Sequence, residues 1–164
     1  MAIVNAESAG RYAESVLASV RSNSAMFSGE PTKIVLPRQG IDLPIVDGIY
    51  DGTQKVWSVA RTTANFATIT AQPNNAKDKT LIYGHWTPQV FGPTSNLKAG
   101  DFAYVYTSNG HIFQYRYENQ TVIKPTDTQI FNNLNGKPGL ALMTCEGTWA
   151  QDRRLMFFNL ESAK

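Results

Sequence analysis

The sequence predicts a mainly β domain, a closed barrel or a sandwich, preceded by one helix. Three observations carry this. Short apolar runs bounded by Gly, Pro, Asn and Asp recur from Thr32 to the C-terminal region, at the spacing of closed or two-sheet all-β folds. Asn109-Gly110 separates two such runs, the strongest local signal for a hairpin. A helical stripe is confined to the first 22 residues, where Tyr12, Ala13, Val16, Leu17 and Val20 share one face. The division that follows is a helix with its connector over residues 1–31 and a β domain over 32–164.

In the N-terminal segment Asn5 serves as N-cap, Glu7 lies in the first turn where the macrodipole favours it, and Arg21 closes the last turn. Ser22-Asn23-Ser24 and Ser28-Gly29-Glu30-Pro31 mark the connector. Lys33–Leu36 is a strand stopped by Pro37. Ile41–Tyr50 is a second, running into the Asp51-Gly52 turn, with Pro44 indicating an edge or a bulge. Val56–Ala60 and Phe66–Thr70 are shorter candidates, and Gln72–Lys79 is a polar loop. Thr80–Gly84, Phe102–Tyr106, Ile112–Tyr117, Gly139–Thr144 and Leu155–Phe158 complete the set. No internal repeat or low-complexity segment interrupts them.

The 164 residues are 42% hydrophobic and only 17% charged, with a formal charge of +2, so one domain with a sizeable core is expected. No Lys/Arg run occurs, which argues against nucleic acid as a partner. No apolar run approaches the roughly 20 residues of a membrane helix. The start, Met1-Ala2-Ile3-Val4-Asn5, lacks the basic and apolar regions of a signal peptide.

The chain has one cysteine, Cys145. An internal disulfide and a multi-cysteine zinc site are thereby excluded. A lone thiol is commonly a small buried hydrophobe. Cys145, however, ends the apolar run Leu140–Thr144 and opens into a loop containing Gly147, a place where functional residues are mounted. His85 ends the run Leu81-Ile82-Tyr83-Gly84 in the same way. His111 abuts the Asn109-Gly110 turn and reads as an exposed surface group. Arg153 and Arg154 follow Cys145 within one loop. Adjacent strand residues face opposite sides, so only one of the two can point at the thiol. Trp86 and Trp149 lie close enough to line a groove, although buried packing explains them equally well. A thiol, an imidazole and a guanidinium are the parts of a cysteine acyl-transfer site.

The order His, Cys, Arg resembles the sortases, cell-surface transpeptidases of Gram-positive bacteria. Their signature is Thr-Leu-x-Thr-Cys with an arginine on the next strand. Here the run is Ala141-Leu142-Met143-Thr144-Cys145, departing at its first position. Leu81–His85 is similar to the family's histidine strand, Leu97-Lys98-Ala99-Gly100-Asp101 to its Leu-x-x-Gly-Asp turn, and Ile34–Pro37 with Ile41–Val46 to its opening strands. The likeness spans about residues 32–160. Arg154-Leu155-Met156-Phe157 best fits the family's Arg-Leu-x-Val run, so the resemblance assigns Arg154, with Arg153 as the alternative.

The resemblance implies an eight-stranded barrel with short helices in its loops. It implies Cys145 as nucleophile, His85 as acid and base, Arg154 as donor to substrate or oxyanion, and the Glu146 N–H as a second donor. Trp86, Thr144, Glu146 and Trp149 would meet the substrate, with Pro125 and Phe131 from a groove wall over residues 122–138 that also holds Leu134. The implied partners are a Leu-Pro-x-Thr-Gly type sorting signal and an amine acceptor on the cell wall or a pilin. The implied place is the outer face of the cell membrane, reached through an anchor outside the residues given. No cofactor is expected. The loop 72–79 offers only Asp78, so no metal is expected, and the absence of any Asp-Pro leaves no basis for a pilin-type lid. An L,D-transpeptidase would require Ser-x-Gly-Cys, which Met143-Thr144-Cys145 does not match. A papain-like enzyme would place Cys before His. A β-barrel module with a buried cysteine is the non-enzymatic alternative.

Overall fold

Ten strands, three short 3-10 helices and their connections make up the computed structural model, which describes residues 25–164 apart from Lys55 and Thr128. The helix expected over residues 5–22 lies outside the described residues. The strands are β1 (Pro31–Leu36), β2 (Ile41–Gly48), β3 (Tyr50–Asp51), β4 (Val56–Trp57), β5 (Ala64–Ala67), β6 (Lys79–Tyr83), β7 (Phe102–Thr107), β8 (Ile112–Ile123), β9 (Gly139–Glu146) and β10 (Asp152–Ala163). Eight of them close a barrel in the order β1-β2-β5-β6-β9-β10-β8-β7, as the resemblance implied. β3 and β4 form a separate two-stranded ribbon.

The departures from the sequence reading have local causes. The run expected to continue to Tyr50 ends at Gly48, where any Cβ would meet the Tyr83 hydroxyl at 2.1 Å. Residues 56–60 contribute only Val56–Trp57, paired with Tyr50–Asp51. Pro44 is tolerated because β2 pairs with β5 only from Ile45 onward, leaving a local edge. β8 and β10 run further than their apolar cores because they pair as a long ribbon whose Glu118–Thr121 stretch is solvent-exposed. Asn109-Gly110 makes its hairpin with Gly110 at φ 89°, the left-handed geometry the turn requires. His111 is not fully exposed: it packs edge-on against Phe27 at 4.9 Å. Residues 25–31 already lie on the barrel, with Phe27 N–H donating to Asn75 Oδ1 at 2.9 Å and Gly29 N–H to Pro73 O at 3.2 Å.

β9 explains why its sequence shows no alternation. Leu140 and Leu142 turn inward to the main core with Ile34, Leu36, Phe113, Tyr115 and Phe158. Ala141 and Met143 turn outward to a second cluster with Leu81, Tyr83 and Leu155, covered by Ile130 and Leu134 of a 3-10 helix, Gln129–Leu134. A strand buried on both faces reads as a continuous apolar run.

One mouth of the barrel is closed by the connection after β6. Val90 and Phe91 are both fully buried in the main core. Phe91 N–H donates to His85 O at 3.0 Å, and Gly92 N–H to Thr87 O at 2.8 Å. A Cβ at Gly84 would meet Val90 at 2.8 Å, so glycine there lets the plug seat. Phe91→Ala is expected to cost about 3–5 kcal/mol, read as a lower denaturation midpoint in urea.

Asp101, 2% exposed, ties the same mouth together. It accepts from Arg38 Nη1 at 2.9 Å, Gln39 Nε2 at 2.8 Å and the Lys98 N–H at 3.0 Å, which gives the Leu-x-x-Gly-Asp turn its physical role. Burial pushes this carboxyl up, but the Lys98 N–H, Gln39 and Arg38 outweigh it and hold it below its ordinary value. A depressed carboxylate stabilises the fold above its ordinary value of about 4 and loses that contribution as pH falls through the folded value. Asp101→Asn is therefore expected to lower Tm at pH 7 and to flatten the loss of stability below about pH 4, measured by thermal melts across pH.

Candidate active site

β6 and β9 run parallel with Tyr83 opposite Met143. Beyond that pair, Gly84 N–H donates to Met143 O at 3.1 Å and Thr144 Oγ1 donates to Gly84 O at 2.9 Å. The next residues are His85 and Cys145. Two neighbouring strands, about 5 Å apart, thus lead the backbones of His85 and Cys145 to the same mouth of the barrel. Alternation along β9 places Cys145 on the outer face with Ala141 and Met143, and His85 follows Tyr83, an outer-face residue of β6, by two positions. Each is partly exposed. The histidine's backbone is pinned from both directions, by the β9 ladder before it and by Phe91 after it.

β10 runs antiparallel to β9 and sets Arg153 opposite Cys145 and Arg154 opposite Thr144. Directly opposed residues share a face. By register, Arg153 lies on the face of β10 that carries Cys145 on β9, and Arg154 on the face that carries Thr144. Arg153 Nη1 donates to Ala150 O and to Asp152 O, each at 2.9 Å. Among the described residues, its Nε and Nη2 have no hydrogen-bond partner. Arg154 faces the barrel interior, 8% exposed, and donates from Nε (2.7 Å) and Nη2 to Glu146 Oε2.

The same alternation gives the directions of Thr144 and Glu146. Thr144 and Glu146 point inward, one committed to Gly84 O and the other to Arg154. Met143 and Cys145 aim their main-chain groups at β6, so Glu146 aims its own toward Asp152 of β10.

The outer face beside Cys145 is an apolar floor. Met143, Phe157, Ile123, Phe131 and Trp57 pack there, only partly covered. One side is formed by the 3-10 helix carrying Phe131. The other is the β3–β4 ribbon, whose Trp57 meets the Tyr83 ring at 5.7 Å while the Tyr83 hydroxyl donates to Ser58 O at 2.6 Å. Burial pushes the Tyr83 phenol up from its ordinary value, so it stays a neutral donor. Trp86 is 46% and Trp149 87% exposed, on the loops that follow His85 and Cys145. Pro125 is exposed on the connection before the 3-10 helix. Met143, Phe157, Ile123, Trp57 and Tyr83 escaped the sequence reading. The odd-numbered phase of β9, continued from Ala141 to Cys145, was the one signal for Met143.

The profile of the Sortase domain family matches residues 34–160. The chain belongs to the sortase family. This sortase is accordingly a transpeptidase of the bacterial cell-surface type. Its barrel is similar to sortase E1 from Streptomyces coelicolor with a tripeptide in the active site (TM-score 0.68, 18% identity, covering 83% of this chain and 90% of that one). It is also similar to the SrtA sortase from Actinomyces oris (TM-score 0.66, 19%, 84% and 83%) and to Listeria monocytogenes sortase A (TM-score 0.64, 20%, 81% and 88%). Comparison of the sequence with curated proteins returns no match. Among the described residues of this sortase, no helix is long and apolar enough to cross a membrane.

Proposed function

We propose that this sortase cleaves a sorting-signal peptide of the Leu-Pro-x-Thr-Gly type through a thioacyl-enzyme on Cys145 and passes the acyl group to an amine. The observation that supports this reading is that the paired strands β6 and β9 run to the same mouth of the barrel, where His85 and Cys145 follow them beside a partly covered apolar face. An extended peptide laid on that floor would set its apolar side chains against Met143, Phe157 and Trp57 and its scissile carbonyl at the thiol.

The Cys145 thiolate attacks the carbonyl carbon, and the electron pair moves onto oxygen. Arg153, on the same face, donates to that oxygen through its unoccupied Nε and Nη2 groups. Collapse breaks the C–N bond, and the His85 imidazolium protonates the departing amine. The neutral imidazole then takes a proton from the incoming amine as it attacks the thioester, and the thiolate leaves. The acceptor is an amine of the cell wall or of a pilin, and the enzyme works at the outer face of the membrane. No cofactor enters the mechanism.

The test is incubation of the protein with a Leu-Pro-x-Thr-Gly peptide library and triglycine, followed by mass spectrometry. A ligated product together with an acyl adduct on Cys145 is expected. Absence of both cleavage and adduct across the library would overturn the reading.

A further inference from the structure

Toward the mouth that carries His85 and Cys145, β8 is paired on one side only. Ile112–Arg116 pair with β7, and Tyr117 donates its N–H to Asp101 O at 2.8 Å and accepts from the Gly100 N–H at 3.2 Å. β7 begins at Phe102, so from Glu118 to Ile123 the strand keeps only β10 as a neighbour. Among the described residues, that stretch makes no main-chain hydrogen bond on its other side. The register decides which groups lie open. Gly84 N–H reaches Met143 O, so odd-numbered residues of β9 aim their main chain at β6 and even-numbered ones at β10. On β10 the odd-numbered residues then aim at β8. Thr121 and Ile123 stand opposite Leu155 and Arg153 and bond back to them, which turns the N–H and C=O of Gln120 and Val122 out to the open edge. Tyr117, beyond the register shift between Phe157 and Phe158, agrees: its main chain turns away from β10.

An unpaired strand edge is a template for another extended chain, and edges are ordinarily guarded by charge, proline or a bulge. Here the bulge beside Glu118 and the pair Lys124-Pro125 bracket the edge but leave Gln120–Ile123 itself uncharged. So short a run is too small to hold two copies of the chain together, yet it fits one extended segment. It also meets the candidate active site. Cys145, Arg153 and Ile123 lie in one row across β9, β10 and β8, and Ile123 shares the apolar floor with Met143 and Phe157. A chain added beyond β8 lies three strand spacings from β9, about 15 Å, which an extended peptide spans in about four or five residues. With the leaving amine beside His85, on the β6 side, the acyl portion of the substrate runs the other way, over β10 toward β8. We propose that the open edge of β8 at Gln120 and Val122 binds the substrate polypeptide just ahead of its sorting signal, by strand addition through main-chain hydrogen bonds and therefore without regard to its side chains. This rests on the function proposed for Cys145 and His85.

The test compares kcat and KM of the full chain for a minimal Leu-Pro-x-Thr-Gly peptide and for the same peptide preceded by about six polar residues. Several main-chain hydrogen bonds should lower KM for the extended peptide by about tenfold and leave kcat unchanged, the mark of uniform binding. Scrambling the added residues should keep the gain. Two further peptides carry N-methyl groups on alternate amides of the extension, in one phase or the other. One phase should lose the gain and the other keep it, because only alternate residues of a strand face the edge. Gln120→Pro removes one open donor without touching the β10 ladder. It should raise KM for the extended peptide by about threefold and leave the minimal peptide as in wild type. If that variant fails to fold, the N-methylated peptides decide alone. Equal KM for minimal and extended peptides, equal behaviour of the two N-methylated phases, or a gain lost on scrambling overturns the proposal. So does a dimer of the wild type, seen by sedimentation, that Gln120→Pro dissociates, because a second copy then covers the edge. Failure to cleave either peptide, with no acyl adduct on Cys145, refutes the proposed function instead, a result separate from any of these.

Discussion

Cys145→Ala is expected to abolish the acyl adduct and to reduce kcat/KM for a sorting-signal peptide by about four orders of magnitude or more. The reasoning is chemical. Without the sulfur no thioester can form, and the remaining groups can only orient the peptide and stabilise charge. The variant should fold normally, because the side chain is small and partly exposed at a strand end, where truncation costs about 1 kcal/mol or less. Its circular dichroism and Tm should match the wild type while its adduct vanishes from the intact-mass spectrum. Residual cleavage at more than a hundredth of the wild-type rate would mean that another group is the nucleophile.

Arg153→Ala is expected to lower kcat by about 10²–10³-fold with a smaller change in KM, the usual effect of removing one oxyanion donor. Alkylation of Cys145 should stay close to wild type, because Arg153 acts on the substrate oxygen. Arg153→Lys keeps the charge but loses the planar fork, so it should recover only part of the loss. The neighbouring arginine makes the control. If Arg154→Ala instead lowers kcat with normal alkylation, and Arg153→Ala is mild, then the side-chain directions at this end of β10 are the reverse of those assigned from its register with β9.

Much of the barrel was legible because its cues are local. The Asn109-Gly110 hairpin, the proline that stops β1 and the runs ending at His85 and Cys145 depend on neighbours in sequence, and each lies close to where it was read. The β3–β4 ribbon was not legible. Val56-Trp57 forms a strand only because Tyr50-Asp51 returns to it and Tyr83 receives Trp57. The ends of β8 and β10 were also hidden, since Glu118–Thr121 has no buried face to impose a period. Phe91 was legible as apolar but not as the plug that holds the backbone of His85.

The sequence by itself determined the class of fold, the order of the reacting groups and the family likeness, because apolar period, turn residues and residue identity are properties of short stretches. Only the tertiary structure decided which arginine shares the face of Cys145. Two adjacent arginines differ by a single step of strand register, and one step exchanges the two faces of a strand. That step is set by the pairing of β9 with β10, a contact between strands whose hydrogen bonds leave no trace in side-chain composition. The same pairing turned Thr144 and Glu146 inward, toward Gly84 and Arg154.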